Sequence, residues 1–500
     1  MNFWLVLPSI ISALGGCALL IRSLRMHLKA GQWDAKEDDV KKLHIYAMAV
    51  LGISIAAALF AAWGSKESLT AFSFVDGIAL EFAADGTGAL FATVTCFIWG
   101  ICGLYSCMYM RHEKNETRYF GFFLIVFAVV IALDFSANLV TFYLFYELMT
   151  LSSMPLVLHS GSDEAVKGAL KYLFYSLIGA YLALFCIYFL NAYTDSLRFT
   201  PGGTLNTALT AGHTGILLFA VFCMLAGFGA KAGMFPLHGW LPSAHPVAPA
   251  PASAALSSII VKGGVLAIIR TLYFIVGADF IRGTWVQSAW SGLTLVTVLM
   301  GSCMAYFTPD LKKRLAYSTV SQVSYALFGL SLLEKEAFCG ALLQVVFHAF
   351  AKCALFLTAG IFIYKTGKTD VKDYRAIGKY LPLSLWVFLF ASLSLIGIPP
   401  FGGFISKWHL ALGALDLGSG IYAVAGPVIL LISALLTAGY LLPVCIDGFL
   451  PGADDRHSKN KEELNLMNIP AAVAAAAAIV LGICPAPLLK VIDSITSMIL

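Results

Sequence analysis

Charged residues are scarce in this chain: Asp, Glu, Lys and Arg make up 12% of its 500 residues, against 59% hydrophobic. That is about half the usual charged fraction, and it excludes the three or four soluble domains that the length alone would suggest. Neither sign dominates, with 32 basic and 28 acidic residues, and no basic stretch interleaves aromatics, so nucleic acid is excluded as a partner. The 11 cysteines never form a CxxC pair or a Cys/His ligand pattern. Most sit in apolar runs (Cys96, Cys102, Cys107, Cys186, Cys223, Cys353) and read as small buried thiols. No glycine fingerprint follows a strand and no histidine pair suits haem. Neither a cofactor, a metal nor a redox centre of the chain's own is expected.

What remains is apolar sequence in long runs. A spanning helix needs roughly 20 mostly apolar residues. Fourteen such runs, bounded by charged, Gly or Pro clusters, fall near 2–21, 43–63, 86–110, 119–134, 136–158, 168–193, 214–235, 250–277, 287–307, 317–332, 338–364, 382–410, 424–450 and 469–495. The expected fold is an all-α integral membrane protein with about fourteen transmembrane helices. Connections after odd-numbered runs carry 22 Lys and Arg, including Lys36, Lys312, Lys313, Arg314, Arg456, Lys459 and Lys461, whereas those after even-numbered runs carry 4, Lys66, Arg198, Arg282 and Lys335. Basic residues gather on the cytoplasmic side. The expectation is therefore a multi-pass protein of the plasma or cell inner membrane with both termini on the non-cytoplasmic side. Arg22 follows the first run and no basic residue precedes it, the reverse of a cleavable signal peptide. A true first span is expected.

Two segments repeat. Gly168-Ala169-Leu170 and Gly340-Ala341-Leu342 each open a span. At nearly the same offset, Phe228 to Pro236 corresponds to Ile398 to Lys407, and each is an apolar span interrupted by Gly and Pro with one lysine at the interruption. Five spans per unit make the second copy enter the membrane from the opposite side. Inverted repeats with discontinuous helices point to a transporter architecture. The organisation expected is an N-terminal trio of spans in 1–115, a first five-helix repeat in 116–283, an inverted second in 284–450, and a loop with a final span in 451–500. At each break Pro lacks a donor and Gly cannot shield its backbone, so the freed carbonyls must face protein or water.

Six titratable residues lie inside these spans: Glu147, Lys231 at the first break, Lys262, His348 and Lys352 four apart on one helix face, and Lys407 at the second break. A charge at a helix centre costs roughly 2.5–3.5 kcal/mol on insertion scales, so the set amounts to something above about 12 kcal/mol if uncompensated. Four lysines cannot all pair with one carboxylate. The surplus amines must sit in water or give up their charge, and an amine that takes and releases a proton is a proton-carrying element. Weaker candidates are His238 and His245, which read equally as the wall of a water path or as loop caps, and Asp134, which reads first as an interfacial cap. Asp76, Glu81 and Asp85 read as a solvated polar link, and Arg270 as snorkelling to the surface or meeting a carbonyl.

At these residues the sequence resembles the proton-conducting antiporter family: the antiporter-like membrane subunits of respiratory complex I, energy-converting membrane hydrogenases and Mrp cation/proton antiporters. The resemblance rests on Tyr146-Glu147-Leu148, the block from Lys231 to Ala255, Val261-Lys262-Gly263, Lys312 to Gln322, His348-Ala349-Phe350-Ala351-Lys352, and Gly397 to Phe401, within most of 74–450. It implies a fourteen-helix fold with two inverted five-helix units and a midplane proton route. It further implies that Glu147 modulates Lys231, that Lys262 and His348 with Lys352 form the central relay, and that Lys407 is the exit-side group. Some complex I members carry glutamate where Lys407 stands, so the lysine favours the other subunits, the hydrogenase relatives or the Mrp type. The chain is too short for the lateral helix of the largest complex I member. The expected partners are other membrane subunits of one complex, homologous antiporter-like subunits among them, a redox arm with hydrogenase or NADH dehydrogenase subunits, and the lipid bilayer. A solute permease is the competing class, against which stands a near absence of uncharged polar clusters at the breaks. A silent scaffold is another, against which stand titratable residues in both repeats.

Overall fold

The computed structural model describes residues 3–30, 37–65, 67–75, 78–450, 462 and 465–500. Lys36, Lys66, Asp76, Arg456, Lys459 and Lys461 lie outside the described residues. The chain runs through helices α1 (Leu7–Ala30) and α2 (Glu37–Gly64), strands β1 (Leu69–Val75) and β2 (Ile78–Phe82), then α3 (Gly86–Tyr109), α4 (Glu116–Asp134), α5 (Leu139–Val157), α6 (Asp163–Tyr193), α7 (Thr214–Ala232), the short α8 (Leu241–Val247) and α9 (Ala250–Val276). It continues through α10 (Trp285–Phe307), α11 (Leu311–Ser331), α12 (Lys335–Thr366), α13 (Pro382–Ile396), α14 (Gly402–Leu415), α15 (Ile421–Phe449), α16 (Asn468–Ile483) and α17 (Ala486–Ile499). Helix starts follow the capping rule. Asp85, Asn138, Ser162 and Asp310 each accept a backbone N–H from the first turn of α3, α5, α6 and α11.

The protein is a multi-span membrane protein. Among the described residues, 11 helices are long and apolar enough to cross a bilayer, or up to 12 if α16 and α17, bent by 75°, count as one span. The expected fourteen is therefore not what individual helices supply. Every expected run holds a helix or a helix pair, but the first turn of α11 carries Lys312, Lys313 and Arg314, and α13 and α14 are halves of a run broken at residues 397–401. A second departure from the expected all-α fold is the antiparallel hairpin of β1 and β2, in the stretch read as a polar link. Phe72, Phe74, Val75 and Ile78 give it β-favouring composition.

Backbone bonds tie the end of the hairpin to the connections after α4 and α6 and, through them, to the last turn of α9. Ala83 donates to Phe135, Phe199 to Ala137, and Thr204 to Ile275. A separate set joins the start of α11 and the last turn of α15 to the connection after α12, with Leu311 donating to Thr369 and Ala376 to Asp447. Burial is graded across the bundle: the apolar windows of α9 and α12 are 100% and 94% buried, those of α1 and α2 only 33%. α12 packs on the Ala250–Ile260 stretch of α9, on α11, and on α13, α14 and α16. The innermost pair of helices thus carries Lys262, His348 and Lys352.

Of the cysteines expected to be buried, Cys223 is only half-buried, and the other five are buried.

Candidate functional site

Both expected breaks exist, and their exposed backbone is answered by protein. α7 ends at Gly233, with φ 83°, and α13 ends at Gly397, with φ 89°. Both glycines hold the left-handed conformation that L side chains resist. The Ala230 carbonyl at the first break accepts from Trp240 Nε1 at 2.9 Å. At the second, the Leu395 and Ile396 carbonyls each accept from Lys407 Nζ at 2.6 Å. An ammonium at a helix C-terminus meets orphan carbonyls and the negative end of the helix dipole together.

Lys231 is fully buried in the last turn of α7. Its Nζ donates to Thr150 Oγ1 at 2.5 Å, Ser176 Oγ at 3.0 Å and Tyr172 OH at 3.2 Å, and stands 4.6 Å from the centre of the Tyr172 ring. This hydroxyl cluster corrects the expectation that uncharged polar groups are nearly absent at the breaks. The amine fills it. Glu147 is half-buried, and its Oε1 has no hydrogen-bond partner, so the carboxyl expected to modulate Lys231 is not bonded to it.

The centre of the site is a contact between the two innermost helices. Lys262 Nζ lies 2.6 Å from His348 Nδ1 and donates to the Ser257 carbonyl at 2.6 Å. That carbonyl belongs to a π-helical stretch, Leu256–Ile260, whose wide turn precedes Lys262 in α9. Lys352 shares the face of α12 with His348, but its Nζ reaches the Leu315 carbonyl of α11 at 2.9 Å instead. The hydrogen-bond partners of all four lysines are neutral.

Two small cavities flank this contact. One, of about 10 Å³, is lined by Gln322, Gln344, His348, Ser394, Leu395 and Gly403 among others, and so runs from the imidazole to the carbonyl that holds Lys407. His348 Nε2 and Gln322 Nε2 are buried without partners. Such a volume with unpaired polar atoms holds about one water. The second, also about 10 Å³, is lined by Thr95, Asp134, Ser258 and Lys262 among others.

The weaker candidates divide. His245 is fully buried on α8 with neither ring nitrogen bonded, its ring 4.9 Å from that of Phe356. His238 lies in the turn before α8, stacked on Phe235 at 5.8 Å. Asp134, read as an interfacial cap, is instead buried, at 3% exposure, and accepts from Thr95 Oγ1 at 3.1 Å. Glu81 and Asp85 are not free solvated charges but ion-paired: Arg198 grips the buried Glu81 through Nε at 2.8 Å and Nη2 at 2.5 Å, and Arg270 grips the half-buried Asp85 through both terminal nitrogens. Arg270 does not snorkel. It is 1% exposed, and its guanidinium stands 5.0 Å from the rings of Phe199 and Phe274. Burial alone would raise the Asp85 carboxyl, but the Arg270 charge and hydrogen bonds, together with the Gly88 backbone N–H, hold it below its ordinary 3.8.

Some site residues are not legible in the sequence. Lys312 counts there among loop charges, yet it is buried and donates to the Ala248 carbonyl at 2.6 Å. Gln344 donates to Gln322 Oε1 at 3.0 Å and accepts from Ser406 at 2.7 Å. Its spacing of four from His348 is the one available signal.

A family model for the transmembrane part of NADH:quinone oxidoreductase and Mrp antiporters matches residues 136–433, which hold every residue of the central contact. The chain belongs to this family. Among its relatives, NADH-quinone oxidoreductase subunit N of Desulforudis audaxviator is 34% identical over 68% of this chain and 67% of its own. Hydrogenase-4 component B of Escherichia coli is 33% identical over 75% of this chain, which spans only 56% of that longer protein. A Na(+)/H(+) antiporter subunit of Bacillus subtilis is 26% identical over 97% of this chain and 94% of its own. In fold, this antiporter-family chain matches a chain of the Mrp complex from Dietzia sp. at a TM-score of 0.82, 22% identity and 99% coverage, with 97% of that chain covered.

Proposed function

We propose that this chain is the proton-translocating membrane subunit of a multisubunit ion-pumping complex, of the complex I-like NADH:quinone oxidoreductase or energy-converting hydrogenase type. It works among other membrane subunits, homologous antiporter-like ones included, with a redox arm supplying the drive. The expected units 1–115, 116–283, 284–450 and 451–500 form its organisation, and the basic-residue bias puts both termini on the non-cytoplasmic side.

The observation that carries the reading is the contact of Lys262 with His348. At 2.6 Å, two nitrogens have room for one proton between them. A proton on Lys262 passes to Nδ1, leaving a neutral amine and an imidazolium. Release from Nε2 into the flanking cavity returns a neutral ring, so one proton enters and one leaves. Lys352 and Lys407 hold the far side, Lys231 and Glu147 the near side. Neutral acceptors around each amine stabilise its ammonium without locking it in an ion pair. A cavity of about 10 Å³ beside the relay passes water and protons and leaves no room for a sugar or an amino acid.

Lys262→Ala in the intact complex, reconstituted in sealed proteoliposomes, should abolish coupled proton movement while assembly and soluble-arm activity survive. Retained pumping refutes the relay.

A second reading, a subunit of an Mrp-type Na⁺/H⁺ antiporter, is favoured by the near end-to-end match to the Bacillus subtilis antiporter protein. Na⁺-dependent proton exchange in vesicles without electron donors distinguishes it.

A further inference from the structure

The relay does not use Asp134, although burying a carboxyl at 3% exposure with a single hydroxyl donor costs several kcal/mol. Asp134 ends α4 and shares the second cavity with Lys262. Two other polar residues line that cavity, Thr95 and Ser258, and the fully buried Ser258 Oγ has no partner. The space is about 10 Å³, one water's worth, and a water there has the carboxylate, the hydroxyl and the amine as its partners. Beside the Asp134 backbone stands the pair Arg270 and Asp85. A Cβ on Gly88 would run into the Asp134 carbonyl oxygen and come within 3.1 Å of both Arg270 Nη2 and Asp85 Oδ1, so the three residues are packed around one glycine. Asp85 is 33% exposed, beside the hairpin. Lys262, the cavity and Asp134 thus lie next to an ion pair whose carboxylate is partly exposed.

We propose that Asp134 is a proton-carrying residue linking Lys262 to the hairpin face, a branch separate from the path through His348 to Lys407. The step is a proton transfer through the cavity. The Lys262 ammonium becomes an amine and the Asp134 carboxylate a carboxylic acid, and loss of that proton toward the Asp85–Arg270 mouth restores the carboxylate. Transfer in the reverse direction would load Lys262 from the same face. The inference rests on Lys262 being a relay residue, and its test separates the two.

The intact complex is compared in sealed proteoliposomes as wild type, Asp134→Asn, Asp134→Glu and Lys262→Ala. Asp134→Asn keeps an acceptor for Thr95 but cannot ionise. It should lower proton flux by about tenfold or more, and Asp134→Glu should restore it, which a merely structural carboxylate would not require. Wild-type flux in Asp134→Asn with none in Lys262→Ala overturns the branch and leaves the relay. Wild-type flux in both overturns the relay as well. Should Asp134→Asn fail to assemble, Ser258→Val fills the cavity without touching the carboxyl: reduced flux supports the branch, and unchanged flux overturns it.

Discussion

Lys262 Nζ and His348 Nδ1 are 2.6 Å apart, joining the two helices most deeply enclosed in the bundle. An amine and an imidazole this close cannot both hold a proton on the facing nitrogen. On the proposed reading, the pair is a site where one proton has two homes. No carboxylate is among the hydrogen-bond partners of either residue within the described residues, so nothing there pins that proton.

His348→Phe leaves Lys262 with the Ser257 carbonyl alone and removes the nitrogen that opens on the cavity. Proton flux per turnover in proteoliposomes should fall about a hundredfold, with the complex assembled. Unchanged flux would show that the imidazole is packing and not path.

Thr150→Val combined with Ser176→Ala strips two of the three hydroxyl acceptors from Lys231. Hydrogen bonds to a charged group contribute about 1.5–3 kcal/mol each, so the ammonium form loses most of its support and flux should drop roughly tenfold or more. Lys231→Ala should give the same phenotype or a stronger one. Wild-type flux in the double variant would mean that the ammonium needs no cradle.

Asp85→Asn leaves a guanidinium buried at 1% exposure without its counter-charge. Breaking such a pair costs about 3 kcal/mol, read as a lower unfolding midpoint of the solubilised complex. The pH dependence has a definite sign. Arg270 holds the folded carboxyl below its ordinary 3.8, so the pair contributes fully above pH about 4 and its contribution is lost as pH falls through the folded value. A wild-type midpoint that rises on acidification below that point, relative to Asp85→Asn, would contradict it.

Gly403→Ala tests the second break. A Cβ at that position collides with the Ser394 carbonyl oxygen, and Gly403 lines the cavity beside His348. Overpacking of this kind costs about 1–3 kcal/mol, and the shift of α14 should pull Lys407 off the Leu395 and Ile396 carbonyls. A variant as stable and as active as wild type would show that the break tolerates expansion.

The sequence is most readable where physical cost is greatest. A lysine in an apolar run is conspicuous, and Lys231, Lys262, Lys352 and Lys407 all have buried or half-buried amines bonded at or beside the breaks and the central helices. Glycine and proline mark both interruptions for the same reason. Pairings across the fold are not readable. Arg270 and Asp85 are 185 residues apart, and Arg198 and Glu81 are 117 apart, so each looks like an isolated surface charge. Lys312 misleads because Lys-Lys-Arg reads as a loop, whereas Asp310 caps the helix just before it and carries the first lysine inside. The π-helical turns of α9 are not readable from periodicity, since that helix is buried on every side and no solvent-facing stripe marks its turns.

On the proposed reading, buried amines without carboxylate partners are tolerated in this fold because they lie on a hydrated track. The sharpest test is a density map of the intact complex, at a resolution that shows ordered water. Water is expected in the cavity between His348 and Leu395 and in the cavity beside Lys262, with neutral ligands around each Nζ. Dry cavities, with every ammonium locked to a carboxylate from a neighbouring subunit, would contradict it.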